Sequence, residues 1–161
     1  ADDDTLVGVV HDMLRSRGAT LAVAESLTGG LLGAMLTGVA GASEVFRGGI
    51  TPYATGAKRD VLGVPADVLD EDGPVSARAA QEMAVAARRV LDATYALALT
   101  GVAGPERQDG HPVGTVHIGL ATPDAVTVRS LRLPGQRHQV RGYAATAAID
   151  LLRRHLTDAR A

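Results

Sequence analysis

TLAVAESLTGGLLGAMLTG, residues 20–38, changes its hydrophobic period partway along. From Thr20 to Glu25 the apolar residues run without polar alternation, as in a strand buried on both faces. At Ser26 the run gives way to Leu-Thr-Gly-Gly and then to LLGAMLTG, a helix built from small residues. Strand, tight turn and helix in immediate succession are the opening unit of an α/β domain.

The same grammar extends in both directions. Leu6, Val9, Val10, Met13 and Leu14 recur at helical spacing over residues 5–17, with Gly18 suited to the C-terminal stop. Downstream, residues 48–53 read as a second strand, and a short helical stretch begins at Lys58 and ends near Gly63. Ser76 caps an Ala-rich helix running to about Asp92. YALALT, residues 95–100, is another apolar strand. Residues 115–121 and 126–133 read as a hairpin around the turn signal Thr122-Pro123-Asp124. A last helix spans about residues 136–156. Strands alternating with helices, plus one antiparallel hairpin, predict one domain over residues 1–161. It is a three-layer α/β/α fold with a mixed, mostly parallel sheet.

The bulk numbers exclude several function classes. At 161 residues and 46% apolar content the chain can bury a full core without disulfides or metal. It has no Cys and a formal charge of −2, hence no thiol nucleophile, no Cys-ligated metal and no basic field for nucleic acid. Its aromatic residues are Phe46, Tyr53, Tyr95 and Tyr143, too few for base-stacking platforms. No apolar run reaches the roughly 18 residues of a membrane span, and the acidic start is unlike a signal peptide. The expectation is a cytoplasmic protein with a small-molecule substrate and neither a nucleic-acid nor a membrane partner. Ala-rich helices leave room for a homo-oligomer interface.

In an open α/β sheet, ligands gather at the carboxyl ends of strands. Three regions fall there. Ser26, Thr28, Gly29 and Gly30 follow the first strand and could offer backbone N–H groups to an anion. Thr100, Gly101 and Gly104 form a matching turn after another strand. The third region, residues 41–58, holds Ser43, Tyr53 and Lys58. Lys58 is the only lysine among fifteen arginines. A guanidinium stays charged, whereas a desolvated lysine can become neutral and act as a base for a hydroxyl nucleophile. Ser43 would make such a pair with Lys58, with Tyr53 orienting the amine or relaying its proton. Ser16 and Ser26 are the other hydroxyls open to nomination, and Ser76 is explained as a helix cap. Arg137 and Arg141 lie four apart, on one face at the start of the last helix, where an anion rather than a cation suits the dipole. They are candidates for binding a phosphate or carboxylate.

Competing motifs fail on spacing. Lys58 follows Tyr53 by five residues rather than the four of short-chain dehydrogenases, and no dinucleotide fingerprint precedes it. Neither Ser-x-x-Lys nor G-x-S-x-G is present. None of His11, His111, His117, His138 and His155 has the H-E-x-x-H spacing of a zinc protease, and no metal is expected.

The ordered set AESLTGG (24–30), GASEVFRGG (41–49), YATGAK (53–58), LGV (62–64), GPVS (73–76), TGVAGP (100–105) and PVGTV (112–116) resembles the C-terminal domain of the competence/damage-inducible CinA family, the nicotinamide mononucleotide deamidases. The resemblance covers about residues 6–156. It implies an α/β/α fold and hydrolysis of nicotinamide mononucleotide to nicotinate mononucleotide and ammonia, in pyridine nucleotide recycling, without metal or cofactor. By motif position it implies Ser43, Tyr53 and Lys58 as the catalytic group. Thr28, Gly29, Gly30, Thr100 and one or both of Arg137 and Arg141 would hold the ribose phosphate. The sequence departs from the family pattern at Leu27, Ala42, Ala54-Thr55 and the loop 106–111. The alternatives are a nucleotide-binding module without turnover and an amidase for another small carboxamide.

Overall fold

The computed structural model describes residues 5–158. Thr5 starts the first helix, α1 (Leu6–Ser16), by accepting the Gly8 N–H at 2.9 Å through its hydroxyl. β1 (Leu21–Glu25) is buried at every position. It is followed by α2 (Leu31–Thr37), a 3-10 turn at Ala42–Glu44, β2 (Phe46–Ile50), α3 (Thr55–Asp60) and α4 (Ala66–Glu71). Then come α5 (Ala77–Val90), β3 (Tyr95–Gly101), the hairpin β4 (Thr115–Ala121) and β5 (Val126–Arg132), and α6 (Arg137–Asp158). Ser76 caps α5 as its sequence position predicts, accepting from Ala79 N at 3.1 Å.

The five strands form one sheet in the order β2-β1-β3-β4-β5. β1 pairs in parallel with β2 and β3, and β4 pairs antiparallel with β3 and β5. Four strands therefore run in one sense and β4 runs against them, a mixed and mostly parallel sheet.

Alternation along the strands builds two unequal layers. Leu21 and Val23, Leu97 and Leu99, and Val116, Ile118 and Leu120 join the core that contains α1, α2 and α6. The opposite face carries Ala22, Ala24, Ala96, Ala98 and Ala121, against α4 and α5. Stripped of bulk, that face lets α5 lie close on the sheet. A Cβ added at Gly119 would come within 2.5 Å of the Ala80 carbonyl oxygen.

Two local readings shift. The second strand starts at Phe46 and ends at Ile50, rather than running to Tyr53, because Pro52 has no N–H to give a ladder. The helix around Lys58 begins at Thr55, a turn earlier than the sequence suggests, so Lys58 sits inside it. α4, which the sequence reading leaves out, follows Pro65 and carries Asp67 in its first turn.

The chain leaves β1 through α2 on one face to reach β2, then returns past β1 through α3–α5 on the other face to reach β3. The crevice between the C-terminal ends of β1 and β3 is thus a topological switch point, the usual ligand position in open α/β sheets.

Candidate active site

Ser26 is the first residue beyond β1, and its N–H continues the ladder to Leu99 O of β3 at 2.9 Å. The sheet itself therefore fixes where its side chain starts. Lys58 reaches it from α3. This amine is 2% exposed, and its Nζ stands 2.9 Å from Ser26 Oγ and 3.1 Å from each of the Pro52 and Tyr53 carbonyl oxygens. Among the described residues no carboxylate pairs with it. Burial without a counter-charge lowers its pKa from 10.5 to about 8.

The geometry has a direct chemical meaning. A neutral amine has two N–H bonds and one lone pair. With the N–H bonds given to Pro52 O and Tyr53 O, the lone pair is left for the proton on Ser26 Oγ. In the ammonium form the third N–H points at that same oxygen.

A cavity of about 460 Å³ opens beside this pair, within the range typical of small-molecule sites. Ser26, Lys58, Thr100, Gly101, Gly104 and Arg137 line it, as does Tyr53. Thr100 is buried and donates its hydroxyl to Pro74 O at 2.6 Å. Gly104, at φ 95°, is a position where a Cβ would strike Val113 at 2.7 Å, so the chain can pass there only as glycine. Arg137 donates to Gly104 O and, at 3.2 Å, to the Tyr53 hydroxyl. Tyr53 thus meets Lys58 through its carbonyl, not its phenol, and its ring is 57% exposed.

Ser43 is not brought to Lys58. It is exposed in the 3-10 turn that precedes β2, next to Glu44, which pairs with Arg15 at 2.9 Å. Lys58 follows β2. Across its five extended residues the two ends of that strand lie about 13 Å apart. The expected Ser43–Lys58 pair is replaced by Ser26–Lys58, because parallel pairing of β1 and β2 puts the end of β1, not the start of β2, beside α3.

The anion cradle expected at Thr28, Gly29 and Gly30 lies outside the cavity, and the helix that follows it already carries an anion of the protein's own. The buried Glu25 carboxylate accepts the Leu32 and Gly33 N–H groups at 2.8 and 2.9 Å, closing the start of α2. Arg141 does not face the cavity as a free cation. Its guanidinium donates to Leu27 O at 3.0 Å and Thr28 O at 2.8 Å, bracing the turn that carries Ser26. None of Thr28, Gly29, Gly30 and Arg141 lines the cavity.

Residues the sequence reading did not nominate for the site also line it, among them Pro74 and, from the positions that depart from the family pattern, Leu27, Glu106 and Arg107. The last two precede Asp109-Gly110, a hairpin dipeptide that was available as a signal. Among the described residues no three His, Asp or Glu side chains gather as a metal site, and no helix is long and apolar enough to cross a membrane.

Comparison with known proteins places this arrangement. The family profile of the CinA C-terminal domain matches residues 3–156. A CinA-like protein of Frankia casuarinae is 57% identical over 96% of this chain, and one of Synechococcus sp. is 46% identical over 97%. The chain spans 36% and 38% of the length of those two relatives. Among solved structures, a CinA superfamily protein of Klebsiella pneumoniae superposes with a TM-score of 0.92 at 33% identity, covering 95% of this chain and 96% of its own. CihA, a competence/damage inducible protein of Agrobacterium tumefaciens, superposes with a TM-score of 0.90 at 33% identity, covering 98% and 96%. By sequence and by fold, the chain belongs to the CinA family, as a copy of its C-terminal domain.

Proposed function

We propose that this domain is an amidohydrolase that removes ammonia from nicotinamide mononucleotide, with Ser26 as nucleophile and Lys58 as its base. The observation that carries the proposal is the 2.9 Å contact between a serine hydroxyl and a buried, carboxylate-free lysine amine, facing a cavity of nucleotide size. That arrangement supplies what a hydroxyl nucleophile lacks at neutral pH, an adjacent group able to take its proton.

Neutral Lys58 removes the Ser26 proton as Oγ bonds to the carboxamide carbon. The tetrahedral oxyanion needs a preorganised donor. Leu27 lines the cavity directly after Ser26, and its N–H has no intramolecular acceptor among the described residues, so it is assigned that role. The Lys58 ammonium then returns the proton to the departing nitrogen, the C–N bond breaks, and ammonia leaves an acyl-Ser26 ester. Water, deprotonated by Lys58, adds to the ester carbon and releases the carboxylate and free Ser26. Arg137 lines the same cavity and, through its bond to the Tyr53 hydroxyl, holds that phenol at the cavity's edge.

With a pKa of about 8, roughly one Lys58 in ten is neutral at pH 7. Turnover should therefore rise with pH and level off above about 8. The deciding assay is ammonia release from nicotinamide mononucleotide by the parent, Ser26→Ala and Ser43→Ala chains. Loss of about a thousandfold in Ser26→Ala alone is expected. Ammonia release by Ser26→Ala at the parent rate would end the proposal.

A further inference from the structure

Lys58, Arg107 and Arg137 are the cations that line the cavity among the described residues. Two of them are already engaged. Lys58 is held by Ser26 and two carbonyls, and Arg137 bridges Gly104 O and the Tyr53 hydroxyl. Arg107 is different: it makes one intramolecular hydrogen bond, from Nη2 to Gly110 O at 3.0 Å. Glu106 and Asp109 stand within two residues of it, yet neither carboxylate pairs with it. A guanidinium that bypasses the nearest carboxylates keeps most of its donor fork for something else.

Its support is preformed. Gln108 and His111 exchange backbone hydrogen bonds at 3.2 and 2.8 Å around Asp109 and Gly110. Both of those residues have positive φ, 50° and 80°, the pattern of a two-residue type I′ hairpin. The bond to Gly110 O ties the Arg107 side chain to the tip of that hairpin. A ligand meeting it would not have to order the loop first, which is the main cost a flexible arginine imposes on binding. Glu106, at the base of the hairpin, lines the cavity as well. Its carboxylate can only accept hydrogen bonds and thus suits hydroxyls rather than a second anion.

We infer that the hairpin at residues 106–111 is a recognition element for a phosphorylated sugar, with Arg107 taking the phosphate and Glu106 the sugar hydroxyls. The inference rests on the proposed function only in taking this cavity as the substrate site. The phosphate meets Arg107 as a fork of parallel N–H donors, a geometry that a point charge cannot copy.

Calorimetric titration with ribose 5-phosphate and with ribose tests it, since neither ligand contains a carboxamide. The parent should bind ribose 5-phosphate at least about tenfold more tightly than ribose. Arg107→Gln should reduce the affinity for ribose 5-phosphate by about tenfold or more and leave ribose unchanged. Arg107→Lys, which keeps the charge but loses the fork, should fall between them. Equal binding of ribose 5-phosphate by parent and Arg107→Gln, or a parent that does not favour the phosphate, overturns the inference whatever the deamidase assay gives. Conversely, Arg107-dependent binding in a chain that releases no ammonia supports this subsite and ends the deamidase reading alone.

Discussion

The turns leaving β1 and β3 look interchangeable as sequence, ESLTGG and TGVAGP, each with a hydroxyl and two glycines just past a strand. In the fold they have opposite surroundings. After β1, the Glu25 carboxylate holds N–H groups in the first turn of α2, the Arg141 guanidinium holds two loop carbonyls, and none of Thr28, Gly29 and Gly30 lines the cavity. After β3, Thr100, Gly101 and Gly104 form a wall of the cavity. The first turn presents one reactive side chain from a sealed frame, and the second offers surface. A glycine-rich turn is thus an anion site only if the protein has not already supplied the anion, and β1 ends in one.

The largest way to break the sealed side is at Lys58. Lys58→Met should lower ammonia release by about a thousandfold, because Ser26 loses its base. Stability should move independently. Below pH 8 the parent carries a buried ammonium, and a fall in pKa from 10.5 to about 8, at about 1.4 kcal/mol per pH unit, is a penalty on the order of 3 kcal/mol. Between pH 8 and 10.5 only the unfolded chain binds the proton, so the penalty shrinks as pH rises. Urea unfolding of parent and variant across that window should show the parent gaining stability on Lys58→Met. Parallel curves would mean that the amine is not buried as described.

Glu25 comes next. Glu25→Ala leaves one buried and one part-buried N–H group at the start of α2 without an acceptor, and a loss of about 2 kcal/mol is expected. For a chain of this length that is a fall of about 4–8 °C in Tm, measurable by calorimetry. Opening the frame to an external anion sharpens the contrast. If Glu25→Ala regains stability in added phosphate while the parent does not, the carboxylate is standing where an anion would otherwise bind. An unchanged Tm would show that the frame does not depend on it.

Arg141 should matter less, and in one kinetic constant. Braced carbonyls keep the Ser26 turn in place, so Arg141→Gln should lower kcat about tenfold while KM stays near the parent's. A raised KM with unchanged kcat would instead make Arg141 a substrate ligand, as its helical position alone suggests.

These contrasts mark what the sequence could and could not reveal. The layers were legible because each element carries its own period: residues 20–25 read as a fully buried strand, Ser76 as a cap and Thr122–Asp124 as a hairpin turn. Lys58 stands out in the sequence by its chemistry, as the only lysine among arginines, and the fold buries it against a serine hydroxyl. Its partner was not legible, since a hydroxyl 32 positions earlier becomes a neighbour only through the parallel pairing of β1 with β2. Motif proximity favoured Ser43, and proximity along a chain is misleading when a strand intervenes. The fates of Arg137 and Arg141 diverged for a similar reason. Four residues apart on one helix, the first meets the loop after β3 and the second the turn after β1.

Ser43→Ala is the smallest expected effect and the most direct comparison with Ser26. Ser43 is exposed, so its loss should leave ammonia release within about twofold of the parent, with stability changed by no more than about 0.5 kcal/mol. Suppose instead that Ser43→Ala abolished turnover and Ser26→Ala did not. Lys58 could not then be the base within the same chain, because Ser43 precedes β2 and Lys58 follows it, at the other end of that strand. A second copy would have to bring its Ser43 to this cavity, and mixing Ser43→Ala with Lys58→Met chains would restore activity in a mixed assembly. A null result for Ser43→Ala removes that arrangement and leaves the whole reaction at the ends of β1 and β3.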